Sequence, residues 1–267
     1  MFDTALQKFA GESHNFLLNG SGPELNEARQ YLNQRGIDVA GICAYQLGFC
    51  PHGKLLDDEI RYFGNDNESE SDKRDFKKSL TGKIILPIKD EFGKHVGLAT
   101  RPSKSGQEYT WWNLPIPFYK SRHLFLLHLA KKAMYFQKKV YIVEGYVDAI
   151  TLHRMGLKNV VAIMGTKLSA RQCALIARYC NNVCVGYDVD ENKSGQKATI
   201  DAIAILHRYG FCENLSVIKN MPVGEDPDSF VRKNGVTEFK MLEHNLSRNE
   251  IMSMCRESDM SKNARKR

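Results

Sequence analysis

In the second half of the chain, short apolar runs alternate with amphipathic stretches. Runs at 140–143, 159–163, 183–187 and 215–218 contain little polar interleaving. Between them, the segments 147–155, 169–179 and 194–209 repeat apolar residues every three or four positions. Cys173, Ile176, Ala177 and Cys180 mark one helical face, and Ala198, Ala202, Ile205, Leu206 and Tyr209 mark another. Ser169 and Gln172 form a capping box, and Gly210 ends the longest helix. Strands alternating with helices predict a parallel sheet covered by helices. The lack of polar alternation within each strand predicts burial on both faces.

The first half is less regular. Residues 1–35 read as helical, with Leu25, Ala28, Tyr31 and Leu32 at helical spacing and Gly36 closing the pattern. The run to Pro51 is short and mixed. Residues 64–78 are polar and charge-dense, which predicts a surface loop or a frayed helix. KIILPI and HVGLATR flank a turn at Gly93 and predict a hairpin, with Pro87 on an edge or at a bulge. Residues 124–132 predict a helix leading into the alternating region. Near the end, Asp226 before Pro227 predicts a helix start, and Gly235 a helix end. A last helix then leads to a basic tail, SKNARKR, expected to be disordered. The expected organisation is a basic mixed α/β lobe at 1–135, an α/β domain with a parallel sheet flanked by helices at 136–245, and a helix end with basic tail at 246–267.

Composition narrows the function classes. The 267 residues are 42% hydrophobic and 26% charged, ordinary for a globular protein. No apolar run approaches the ~20 residues that span a bilayer, and the N-terminus has no secretory pattern, so a cytoplasmic protein with no membrane partner is expected. The seven cysteines include no CxxC pair, and Cys43, Cys50 and His52 have the wrong spacing for zinc. Reduced thiols and no zinc are expected. The net charge of +7 permits nucleic-acid binding. After the hairpin, Arg101, Lys104, Tyr109, Trp111, Trp112, Asn113, Tyr119, Lys120 and Arg122 interleave cations with rings. That composition suits single-stranded nucleic acid, and equally an ordinary lobe surface with a few core aromatics.

Ligands of parallel sheets bind beyond the carboxyl ends of the strands. Glu144, Gly165–Thr166, Asp188 and Asp190 all fall at such ends. Two or three carboxylates there suit Mg²⁺, which keeps waters and bridges to phosphates. Such a site orients a hydroxyl and neutralises a transferring phosphate. Glu144 is either a ligand or a general base. Each motif alone is weak, because acids are common in turns after strands. Their occurrence on successive strand ends of one sheet is much more specific. In PVGEDPDSF, Asp226 and Asp228 are either capping and first-turn acids or ligands of a further metal.

These residues resemble the TOPRIM fold, and specifically the RNA polymerase core of DnaG-type primases, over roughly 25–244. EGYVD resembles the family's EGYMD, which implies a catalytic glutamate at Glu144 and a following aspartate at Asp148. MGT at 164–166 resembles its LGT, and Asp188 with Asp190 its YDGD pair. PVGEDPD resembles PDGEDPD, which implies metal-binding acids at Asp226 and Asp228. The strand pair ending at Arg101 resembles one ending in GGR, which implies a template-contacting arginine. FYKSRHLF implies an active-site lysine at Lys120. Asn113 is similar to the asparagine of KYLN, and Lys83 to a basic residue opening the strand pair. DGDRAG becomes DVDENKSG, two residues longer.

The resemblance implies a nucleotidyltransferase that makes short RNA primers from NTPs on single-stranded DNA. Its catalytic residues would be Glu144, Asp188, Asp190 and Lys120. Mg²⁺ or Mn²⁺, as two or more ions, would be held by Glu144, Asp188, Asp190, Asp226 and Asp228. Lys83, Arg101, Tyr109, Asn113, Lys120, Arg122, Asp148 and Thr166 would contact template or nucleotide. The expected partners are a replicative helicase or a separate zinc-domain protein, in a bacterial cell or encoded by a phage. A TOPRIM nuclease and a non-catalytic nucleic-acid-binding replication factor are the alternatives.

Overall fold

The computed structural model describes residues 2–51, 80–102, 119–165, 167–189 and 194–264. These fall into two compact units, residues 1–119 and 120–267.

The first unit opens with α1 (Phe2–Asn19), α2 (Pro23–Gln34) and α3 (Val39–Tyr45). An antiparallel sheet follows, of β1 (Gly48–Cys50), β2 (Lys83–Lys89) and β3 (His95–Pro102), in the order β1-β2-β3. Helix α1 packs on this sheet, and Leu6, Phe9 and Leu17 are fully buried. The hairpin lies where the alternation placed it, with Ile84 opposite Arg101 and Ile88 opposite Gly97. Asp90 accepts hydrogen bonds from the Phe92 and Lys94 amides (2.9 and 3.0 Å) and closes its turn. Among the described residues β1 pairs only with Lys83–Ile85, so Pro87 lies beyond the reach of β1 and is paired with β3 alone, opposite Leu98. A register shift between Ile88 and Lys89 follows. The short mixed run before Pro51 is α3, capped by Asp38, plus β1. Both are too short to show a period in the sequence.

The second unit begins with a 3-10 turn, Lys120–Arg122, and α4 (Leu127–Gln137). It continues with β4 (Lys139–Val143), α5 (Tyr146–Arg154), β5 (Val160–Ala162), α6 (Ala170–Ala177), β6 (Asn182–Val185), α7 (Ser194–Arg208) and β7 (Leu215–Ile218). It ends with α8 (Pro227–Met241), β8 (Glu243–Asn245) and α9 (Arg248–Ala264). Among the described residues the sheet order is β5-β4-β6-β7-β8, parallel except for β8. Its strands are buried as their composition requires: Val140, Ile142, Val161, Val183, Val185 and Val217 share one core with Leu127, Met134, Ile176, Ile203, Leu206 and Ile251. Helix α4 packs on β4 and β5.

Two late elements depart from expectation. Strand β8 reads Glu-His-Asn, with no apolar run to announce it. It is held by Glu243, which takes hydrogen bonds from Lys139, Tyr141 (2.8 Å) and Ser216. Helix α9 continues through Ala264, so the first part of the expected basic tail is helical; residues 265–267 lie outside the described residues. Gly235 (φ 87°, ψ 163°) interrupts the helical backbone within α8 where the sequence predicted a helix end, so α8 is two helical segments meeting at a kink. Among the described residues, no helix is long and apolar enough to cross a membrane.

Candidate active site

The four parallel strands end at one edge, and the helices that follow them begin there. Glu144 leaves β4 just ahead of Gly145, the N-cap of α5. Met164 leaves β5 with a left-handed backbone (φ 62°), and its amide donates to the Glu144 carbonyl (3.2 Å). Asp188 follows β6, and its carbonyl lies against Gly195 so closely that a Cβ there would collide with it. Only glycine lets the first turn of α7 come this near the aspartate. Asp226 caps α8 by accepting from the Ser229 amide (2.7 Å), as its place before Pro227 predicted.

Lys120 belongs to this edge through its main chain. The buried Gln172 side chain donates to the carbonyls of Lys120 (3.2 Å), His123 (2.8 Å) and Ile163 (3.1 Å). Its other end accepts from the Ser169 amide, completing the capping box of α6. The Ser169 hydroxyl adds a bond to the Ser121 carbonyl (2.6 Å). One cap therefore fixes the lysine segment beside the end of β5. Burial lowers the pKa of the Lys120 amine. Arg122 is exposed at the end of the same turn.

The acids are coupled. Asp148 is buried, with one oxygen accepting from the Gly145 amide and the other from the Asp228 amide (both 3.2 Å). Its pKa rises to about 7, first by burial and then by the charges of Asp188, Asp226 and Asp228. Asp228 is fully buried (0% exposed). One of its oxygens takes the Thr151 hydroxyl (2.7 Å), and the Arg232 guanidinium spans both (3.0 Å each). The Asp228 carboxylate is therefore engaged by the Thr151 hydroxyl and the Arg232 guanidinium. The Tyr187 ring lies buried beside Glu144. Its hydroxyl pKa is raised well above the ordinary value, by burial first and then by the Glu144 charge.

This donor set suits a divalent cation. Several carboxylates meet at helix N-termini, and burial together with their mutual repulsion lifts the Asp148 pKa. Among the described residues no three acids, histidines or cysteines enclose a metal, so Glu144 and Asp188 would act with water, phosphate or Asp190. A cleft of about 590 Å³, lined by Tyr187, Asp188, Gly195, Thr199, Ile218 and Lys219, opens beside Asp188. Its size is that of ordinary small-ligand sites.

The remaining sequence candidates divide two ways. Asp190, Thr166, Tyr109 and Asn113 lie outside the described residues, as does most of the lengthened segment after Asp188. Lys83 and Arg101 sit at paired ends of the hairpin in the first unit. Burial lowers the Lys83 pKa, and the Arg101 guanidinium stands 5.2 Å from the Tyr31 ring centroid. Sequence reasoning missed Arg232, Thr151 and the clamp made by Gln172. Arg232 had a signal, since it lies four residues after Asp228 on one helix face. Gln172 had only its cap signal, because its carbonyl partners come from distant segments.

The comparisons agree with this geometry. Residues 141–231 match the Toprim-like family, and residues 16–131 match the N-terminal domain of the DNA primase catalytic core. A DNA primase of Clostridium acetobutylicum is 39% identical over 165 residues, 61% of this chain and 26% of that protein. One of Aquifex aeolicus is 30% identical over 225 residues, 81% of this chain and 44% of that protein. This chain thus spans less than half the length of these curated relatives. A crystal structure of the Aquifex aeolicus primase zinc-binding and RNA polymerase domains superposes with a TM-score of 0.74 at 26% identity, covering 92% of this chain and 61% of that one. A DnaG primase catalytic domain bound to single-stranded DNA superposes with a TM-score of 0.68 at 25% identity, covering 90% and 81%. The second unit is a Toprim domain, a class that binds divalent metal in general, and it follows a primase-type N-terminal domain. The chain belongs to the DnaG-type DNA primases.

Proposed function

We propose that this chain is a nucleotidyltransferase that synthesises short RNA primers from NTPs on a single-stranded DNA template. The observation that carries the reading is the convergence of Glu144, Asp188, Asp226 and the Lys120 segment on one edge of a Toprim sheet. Glu144, Asp188 and Asp190 would hold Mg²⁺ or Mn²⁺, which would neutralise charge on the triphosphate and favour deprotonation of the attacking 3′-hydroxyl. Lys120, fixed through Gln172, places a cation beside the phosphates. Asp148 and Asp228 brace the starts of α5 and α8, and so hold the backbone next to Glu144. Asp226 combines its cap with a role toward a further ion. Lys83, Arg101, Arg122, Tyr109 and Asn113 guide the template, and Thr166 contacts nucleotide.

Zinc has no part in this reading. The reaction belongs in the cytoplasm of a bacterial cell, with a helicase or a separate zinc-domain protein choosing where it starts.

The test incubates the chain with NTPs, Mg²⁺ and a single-stranded template that carries a fluorescent end label, with radiolabelled ATP among the NTPs, so that RNA product and template length are read separately. Short labelled RNAs are expected. A shortened template without RNA would instead indicate a nuclease, and binding with neither product a non-catalytic factor.

A further inference from the structure

The opposite edge of the same sheet, where the parallel strands begin, has a different chemistry. The Asn182 amide donates to the Lys138 carbonyl (3.2 Å) and the Tyr141 amide to the Asn159 carbonyl (2.9 Å), so the strand starts lie side by side. Helices α4, α5, α6 and α7 all end here. They bring Lys138 at the C-cap of α4, with Lys131 and Lys132 more than a turn before its end, then Arg154 and Lys158, then Arg178. The acids nearby are few. Glu243 is bound to Lys139, Asp259 to Arg208, and Glu213 stands on the loop into β7.

Cations at helix C-termini complement the macrodipole, which accounts for the charge by itself. It does not account for the rings. Tyr135 is 55% exposed, Phe136 72% and Tyr209 50%, all at the ends of α4 and α7. Tyr135 and Phe136 meet edge to face (centroids 5.7 Å, 80°), and the Lys138 amine stands 3.9 Å over the Tyr135 ring. Rings that face water among cations offer stacking faces beside phosphate contacts, which is what a strand of unpaired bases requires. An acidic peptide would use the lysines but has no particular need of ring faces.

We propose that this strand-start edge is a second binding surface for single-stranded DNA, remote from the acids and built on Tyr135, Phe136, Tyr209, Lys132 and Lys138. It keeps a longer template on the protein while another stretch occupies the site of chemistry. The choice of DNA over RNA rests on the polymerase reading; the contacts do not.

The test uses the full chain and a fluorescein-labelled 30-nucleotide oligodeoxythymidine in an anisotropy titration. The variant Tyr135→Ser/Phe136→Ser/Tyr209→Ser leaves every charge in place, and its fold is checked by circular dichroism. Binding is expected to weaken about tenfold or more, with primer synthesis at saturating template unchanged. A second variant, Lys132→Glu/Lys138→Glu, is expected to weaken binding and flatten its salt dependence. A dissociation constant within twofold of wild type for the ring variant would overturn the proposal. Loss of binding to a labelled poly-glutamate peptide without loss of DNA binding would also overturn it, in favour of an acidic partner. If the wild-type chain binds DNA through these rings and makes no primers, the polymerase reading fails and this proposal stands.

Discussion

The two edges of the Toprim sheet are made by the same strands and have opposite characters. At the strand ends, helices begin, so backbone N–H groups and positive dipole ends face the site. There the chain places Glu144, Asp148, Asp188, Asp226 and Asp228. At the strand starts, helices end, and there it places lysines, arginines and exposed rings. A parallel sheet sorts its helix termini in this way automatically, so electrostatic asymmetry comes with the topology. What the sequence adds is commitment. The acids are partly buried and interlocked, whereas the cations opposite remain at the surface. Burial with defined partners marks the edge built for chemistry, and exposure marks the one suited to contact.

That contrast can be broken at several points. The largest effect is expected from Glu144→Gln, which removes a charge at the strand-end edge without changing its shape. Primer synthesis is expected to fall by roughly 10²–10⁴-fold, while affinity for single-stranded DNA, measured by anisotropy, stays within about twofold. Next is Arg232→Ala. It leaves the fully buried Asp228 carboxylate without its guanidinium, which costs about 3 kcal/mol of stability. Urea unfolding measures that loss, and Asp228→Asn in the same background is expected to recover part of it. Gln172→Ala removes three bonds to main-chain carbonyls and half of a capping box. About 1–3 kcal/mol is expected, together with a raised KM for NTP if the Lys120 segment loosens.

The smallest effect is a pH dependence. Asp148 has a folded pKa of about 7 against an ordinary 3.8. A group whose pKa is raised by folding favours the fold while it is protonated. That contribution is full below about pH 4 and is lost as pH rises through about 7. Metal-free protein is expected to lose stability over this window, and Asp148→Asn to flatten the slope by on the order of 1 kcal/mol. Unfolding midpoints at a series of pH values in EDTA measure it. Identical slopes for both proteins would remove Asp148 from the coupled set.

Much of the fold was legible because its signals are local. Strand β7 was bounded to the residue, and the caps at Ser169 and Asp226 act as their spacing predicted. Strand β8 was not legible, because Glu-His-Asn earns its place through Glu243 and its three distant donors rather than through any apolar pattern. For the site, the strand-end positions of Glu144 and Asp188 followed from periodicity. The partners of Asp228 did not, because they come from packing that the sequence does not spell out. Only the packing of α8 against α5 brings Thr151 and Arg232 to it. The exposure of Phe136 was hidden for a similar reason: an aromatic near a helix end looks like core until the neighbouring face is found open.

The central claim is that the strand-end acids perform synthesis and that nucleic-acid binding lies elsewhere. The most direct measurement is Asp188→Ala, with primer synthesis and single-stranded DNA affinity measured on the same preparation. The account predicts no detectable RNA product with DNA affinity nearly intact. Full primer synthesis by Asp188→Ala would contradict it.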